Sequence, residues 1–220
     1  LIPAKENGRI PLVGLMGDGD TTRPAKLISW LLHLQGLYTG LACADGLYMN
    51  QRCLQKHNAM DFDQAERLLV NRSVQAAVFE SDARRLLTQG LPYDRCQVGI
   101  VTSMPKAAPL EDLYPGPDDK MPSYIRTQID LVLSNGYAVL NAADPIVAAM
   151  AGHCRGQVTF FAADRHHPVM ATHLAQGRRA GQSRDLGDLQ VVDADHHAVG
   201  GRGHLQGQRP ERRVVVVKTM

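Results

Sequence analysis

The residues best placed to do chemistry are Val13-Gly14-Leu15-Met16-Gly17-Asp18-Gly19-Asp20-Thr21-Thr22-Arg23. An apolar run enters a glycine cluster and a threonine pair follows. The segment that leaves it carries Leu27, Ile28, Leu31, Leu32 and Leu34 at helical spacing. Strand, glycine loop and helix in that order are the setting of a phosphate-binding loop, whose backbone N–H groups and helix N-terminus point at phosphate oxygens. Such a loop uses a lysine on the outer phosphates and a Ser/Thr hydroxyl on Mg²⁺. On the Gly-x-x-x-x-Gly spacing from Gly14 to Gly19 the lysine position holds Asp20. On an ungapped, shorter spacing it holds Thr21. In both alignments a cation is missing and carboxylates stand nearby. A hydrogen bond to a charged group is worth about 1.5–3 kcal/mol. A carboxylate about 4 Å from a phosphate adds repulsion of about 1–4 kcal/mol. Together these weaken nucleotide binding by orders of magnitude. The competing reading is a Gly/Asp-rich turn that never bound phosphate.

Positioning such a loop takes a sheet. Short apolar runs at residues 10–16, 38–44, 75–80, 97–103, 137–141 and 157–162 read as strands. Residues 25–35, 63–70, 84–88, 125–133 and 145–153 read as helices. Strand–helix alternation with β-rich, apolar strands predicts an α/β fold with a doubly wound, mostly parallel sheet. Ligands of such sheets sit at the carboxyl ends of strands. Glu80 and Asn141 occupy such ends, as does the glycine loop. Residues 104–121 hold four prolines and read as a long loop. From residue 177 the chain turns rich in Arg, Gly, His, Asp and Gln, with one apolar run at Val214-Val215-Val216-Val217. That composition predicts a poorly structured or aberrant tail, as from a reading-frame shift or decay.

At 220 residues the chain can bury one substantial core. A net charge of +2 makes no case for nucleic acid, and no apolar run approaches a membrane span. The start at Leu1 lacks the pattern of a signal peptide and suggests a chain cut from a longer one. Cys43, Cys53, Cys96 and Cys154 are scattered and fit reduced thiols of a cytoplasmic protein.

Several words then resemble the Mur-ligase-like domain of cyanophycin synthetase. They are Gly8-Arg9-Ile10-Pro11-Leu12-Val13, Asp45-Gly46-Leu47-Tyr48, Val78-Phe79-Glu80, Tyr93-Asp94-Arg95-Cys96, Gly136-Tyr137-Ala138-Val139-Leu140-Asn141, Asp144-Pro145 and His173-Leu174-Ala175-Gln176-Gly177. The resemblance implies a sheet of the P-loop NTPase and Mur-ligase central-domain type over residues 9–176. It makes 1–8 a linker from an upstream region and leaves 177–220 as the tail. In that family an ATP-grasp domain adds aspartate and the Mur-like domain adds arginine, both through acyl phosphates. A shorter type joins aspartyl-arginine dipeptides, and its Mur-like domain is degenerate. This chain is most similar to the degenerate type, because its departures fall on the chemistry. The family's Gly-Lys-Thr is replaced by Asp20-Thr21-Thr22. Its Arg-Gly-Gly stretch is replaced by Ala83-Arg84-Arg85, and its Asn and Asp-His by Thr102-Ser103-Met104-Pro105-Lys106-Ala107.

The resemblance makes Gly14, Gly17, Gly19, Thr21, Thr22, Asn141 and Asp144 the remnant nucleotide-binding residues, with Thr22 and Glu80 toward Mg²⁺. It assigns no catalytic residue. Each has a plainer reading. Thr21 or Thr22 would cap the following helix, Glu80 would be a solvated carboxylate, and Asp144 before Pro145 would cap the next helix. The pairs His166-His167 and His196-His197 lack the spacing of a metal site. Arg178-Arg179 and Arg212-Arg213 read as solvated tail. The implied cofactors are ATP and Mg²⁺, with binding here possible only if the eroded loop still holds phosphate. The implied partners are an upstream ATP-grasp domain, cyanophycin or aspartyl-arginine dipeptides, and further copies in a homo-oligomer. Three functions follow: a structural, degenerate ligase domain; an active ligase adding arginine to poly-aspartate; or a binding module acting through its basic tail.

Overall fold

The computed structural model describes residues 9–105, 110, 112–113, 120–164, 166–178, 180–184 and 188–192. Ten strands among them form one sheet. In chain order these are β1 (Leu12–Met16), β2 (Thr39–Cys43), β3 (Gly46–Met49), β4 (Arg52–Gln55), β5 (Ala76–Ser81), β6 (Cys96–Val101), β7 (Val132–Asn141), β8 (Gln157–Ala162), β9 (Ala180–Arg184) and β10 (Asp188–Val192). The spatial order is β10-β9-β8-β7-β6-β1-β5-β2-β3-β4. Every pairing from β9 across to β2 is parallel, and β10, β3 and β4 are added antiparallel at the two edges. The fold is the expected α/β, doubly wound, mostly parallel sheet.

The helices are α1 (Thr22–Leu34), α2 (Phe62–Leu69), α3 (Ala83–Gln89), α4 (Met121–Ile125), α5 (Thr127–Asp130), α6 (Pro145–Ala149) and α7 (Pro168–Ala175). Strands β1, β2 and β5 are buried at every residue. A parallel strand covered on both faces reads as a continuous apolar run, which is how these three were legible. Along β1 the faces alternate. Val13 and Leu15 pack with Ala25, Ile28, Leu41 and Val78 under α1. Met16 packs on the opposite face with Val101, Ile125, Ile129 and Leu140.

The structure departs from expectation in four places. The helix expected at 125–133 is α4, then α5, and β7 has already begun at Val132. Val132 sits opposite Cys96, and a register shift follows between Cys96 and Val98. The apolar Val132 and Leu133 therefore belong to the sheet, and Leu131 is the C-cap of α5. The β3–β4 hairpin was not expected. Its turn residues Asn50 and Gln51 have φ of 47° and 69°, as a two-residue primed turn requires. Glutamine is a poor signal for that turn; here its Nε2 is held by Ser29 O and Oγ and by Thr39 Oγ1. Helix α7 was also not expected. Within the stretch expected to be a poorly structured tail, β9 pairs with β8 and buries Ala180 completely. Residues 193–220 lie outside the described residues, as do His196, His197, Arg179, Arg212 and Arg213.

Candidate functional site

In the chain, β1 is followed by strands on its β5 side and later by strands on its β6 side. The crevice beyond the carboxyl ends of β1 and β6 is thus the topological switch point, where doubly wound sheets bind ligands. The glycine loop lies there.

Gly14 does not. It is the middle residue of β1, and a Cβ on it would stand 2.0 Å from Tyr93 Oη and 2.4 Å from Gln128 Nε2. Its small size makes room for a buried bond from Tyr93 Oη to Gln128 Oε1, 2.7 Å long. The Gly14-to-Gly19 spacing therefore begins inside β1, two residues before the strand ends. Gly17 and Gly19 are in the loop. A Cβ on Gly17 would meet Thr102 Oγ1 at 1.8 Å. Gly19 has open space around it but a φ of +112°, a conformation that favours glycine.

Thr21 and Thr22 converge with Glu80 at the end of β5. Thr21 Oγ1 donates to Glu80 Oε1 at 2.6 Å. Thr22 Oγ1 lies 2.9 Å from both carboxylate oxygens. The Ala44 N–H, just past β2, donates to Glu80 Oε2 at 2.8 Å. Glu80 is 5% exposed and Thr21 4%. Glu80 is thus not a solvated strand-end carboxylate. Thr21 holds the N-cap position of α1 without a side-chain cap bond. Asp20 takes that role with a long bond from Arg23 N to its Oδ1, 3.3 Å.

A carboxylate offers about four acceptor positions, and three donors fill four contacts on Glu80. Mg²⁺ asks for near-octahedral oxygen ligands at about 2.0–2.1 Å. Glu80 and the Thr21 and Thr22 hydroxyls are oxygen donors of that kind, hydrogen-bonded to one another in the structure. Among the described residues no cluster of three or more His, Cys, Asp or Glu could hold a metal.

The cations near the loop are engaged. Arg23 Nε pairs with Asp20 Oδ2 at 3.0 Å. Lys26 pairs with Asp45, which raises its pKa, and its Nζ stands 5.3 Å from the centre of the Tyr48 ring. Arg84 pairs with Asp112, and Arg85 with Asp61 and Asp82.

The switch-point crevice is bridged from both walls. Ser103 Oγ accepts from Asp18 N at 2.8 Å and donates to Asp18 O at 3.0 Å. An N–H that a phosphate loop would offer to its ligand is thus used internally. Asn141 Nδ2 donates to Thr102 O at 2.9 Å. Asp144 Oδ2 accepts from Met104 N at 3.0 Å, while its Oδ1 caps α6 through Ile146 N and Val147 N. The structure thus gathers every candidate except Gly14 around one crevice, and commits Asn141 and Asp144 to its backbone. The Ser103–Asp18 bridge and the Ala44 contact had no signal in the sequence.

Comparison with known proteins accords with this geometry. No family model matches the chain. A cyanophycin synthetase from Synechocystis sp. is 30% identical over 177 residues, covering 79% of this chain and 20% of that protein. One from Geminocystis herdmanii is 28% identical over 225 residues, covering 100% of this chain and 24% of that protein. The chain is homologous to a Mur-ligase-like domain of cyanophycin synthetase. It spans about a fifth to a quarter of the length of these cyanophycin synthetases. Among solved structures, a UDP-N-acetylmuramoyl-L-alanyl-D-glutamate–2,6-diaminopimelate ligase superposes with a TM-score of 0.56 at 15% identity, over 70% of this chain and 32% of that one. An FPGS–AMPPCP complex superposes with a TM-score of 0.50 at 13% identity, over 84% of this chain and 51% of that one. Both likenesses concern the fold. Among the described residues no helix is long and apolar enough to cross a membrane.

Proposed function

We propose that this chain is the degenerate Mur-ligase-like domain of a cyanophycin-synthetase-type ligase, with a structural role in place of its own ATP chemistry. The observation that carries the reading is the filled carboxylate of Glu80. The groups that would meet a nucleotide-bound Mg²⁺ are hydrogen-bonded to one another. The Ser103–Asp18 bridge supports the same reading, because it spends a loop N–H. The domain would act beside an ATP-grasp domain of the same polypeptide, in the cytoplasm and within a homo-oligomer, on cyanophycin or aspartyl-arginine dipeptides.

The active-ligase alternative needs Arg23 or Lys26 to replace the lost lysine, and both are paired with loop-side carboxylates. Isothermal titration of the chain with ATP and Mg²⁺ tests the choice. No saturable binding at micromolar ATP is expected. Micromolar affinity would overturn the reading, and phosphate release dependent on arginine and a poly-aspartate primer would establish the alternative.

A further inference from the structure

Strands β8 and β9 do not start level. Ala180, the first residue of β9, lies opposite Phe160, whereas β8 begins at Gln157. Gln157, Val158 and Thr159 therefore face β7 on one side, opposite Tyr137, Ala138 and Val139, and no strand on the other. Alternation along a strand decides which backbone groups are left open. The Phe161 carbonyl accepts from Ala142 N at 2.8 Å, on the β7 side. Val158, three residues earlier, turns its N–H and C=O the opposite way, into the gap. Its carbonyl accepts from His173 Nε2 at 3.0 Å. Its N–H has no acceptor among the described residues.

The gap opens into a hollow of about 510 Å³ lined by Val158, Thr159, Cys154, Gly177 and Arg178, among others. Arg178 enters from the turn after α7, where Gly177 has a φ of +70°. Its guanidinium has no hydrogen-bond or ion-pair partner among the described residues. Among the described residues the lining contains no carboxylate. Burial raises the pKa of the Cys154 thiol, so it brings no negative charge at neutral pH. Val158, with its open backbone donor, and Arg178 thus line one concave site. It lies at the amino edge of the sheet, the opposite end from the glycine loop.

We propose that this hollow binds the carboxylate end of a peptide-like ligand. The carboxylate pairs with Arg178, the group best shaped for it, and an amide carbonyl accepts from Val158 N–H. The ligand thereby continues the line of β9 by strand addition. The proposal is independent of the state of the ATP site.

The experiment is ¹H–¹⁵N NMR titration of the full chain with N-acetylglycine and, separately, with N-acetylglycinamide. N-Acetylglycine is expected to shift the Val158 and Gly177 amides with a dissociation constant of about 1 mM. The amide is expected to bind at least about tenfold more weakly. Arg178→Gln should lose the same factor while the rest of its spectrum is unchanged, since Arg178 is exposed. An unmoved Val158 amide, equal shifts from the two probes, or undiminished binding by Arg178→Gln would each overturn the proposal.

Discussion

Thr22 holds its hydroxyl oxygen 2.9 Å from each carboxylate oxygen of Glu80, so its single hydrogen is shared between them. With Thr21 and Ala44, this ties the start of α1 to the ends of β5 and β2. The tie is internal, and its worth shows in stability. Glu80→Ala leaves Ala44 N–H and two hydroxyls without their acceptor and should cost on the order of 3 kcal/mol. Glu80→Gln keeps one carbonyl acceptor and should cost about half as much. Urea unfolding measures both, and a loss below about 1 kcal/mol for Glu80→Ala would show that the tie is weak.

Gly14 should prove structural and unrelated to ligands. Gly14→Ala places a methyl 2.0 Å from Tyr93 Oη and should cost about 1–3 kcal/mol. Tyr93→Phe removes the clashing oxygen and leaves Gln128 Oε1 without its donor. The double variant should therefore be more stable than the sum of the single losses predicts, by at least about 0.5 kcal/mol. Strict additivity in unfolding experiments would count against the close packing.

The Arg9–Asp94 pair should give a salt-sensitive acid dependence. The hydrogen bonds from Arg9 lower the Asp94 pKa from 3.8 to about 2. A depressed carboxylate pKa means that the native state favours the ionised form. The pair's contribution is then complete above pH 3.8 and disappears as pH falls through about 2. Both side chains are largely exposed, at 46% and 68%, so salt should shrink the effect. Comparing Asp94→Asn with the parent from pH 2 to 5, at low and high salt, checks the sign and the screening.

Helix α1 should tolerate charge on one apolar face and not the other. Leu27 and Leu34 are 44% and 53% exposed, whereas Ile28 packs against the cluster of Val13 and Leu15. Leu27→Lys and Leu34→Lys should change stability by less than about 0.5 kcal/mol. Ile28→Ala should cost about 2 kcal/mol. Thermal or urea unfolding of the three variants separates the faces.

Much of this was legible in the sequence because the central strands are covered on both sides. Strand β8 matches its expected span at both ends, and β1, β2 and β5 differ by one or two residues. Elements whose signal is local and weak were not legible. The β3–β4 turn uses glutamine at positive φ. The α1 pattern foretold a helix but not its buried face: Leu27, Ile28, Leu31, Leu32 and Leu34 span an arc of about 160°, and the structure buries Ala25 and Ser29 at one edge of it while exposing Leu27 and Leu34 at the other.

The site divides in the same way. Residue order alone determined that a strand, a glycine loop and a threonine-led helix follow one another, and that no lysine stands between Val13 and Arg23. Both facts are local, written in consecutive residues. Only the tertiary structure decided that Gly14 makes room for the Tyr93–Gln128 bond, that Glu80 is held by partners up to 59 residues away, and that Ser103 bridges to Asp18 across 85. Those outcomes depend on which strand ends the sheet brings side by side, and parallel strand order is set by the packing of the whole core.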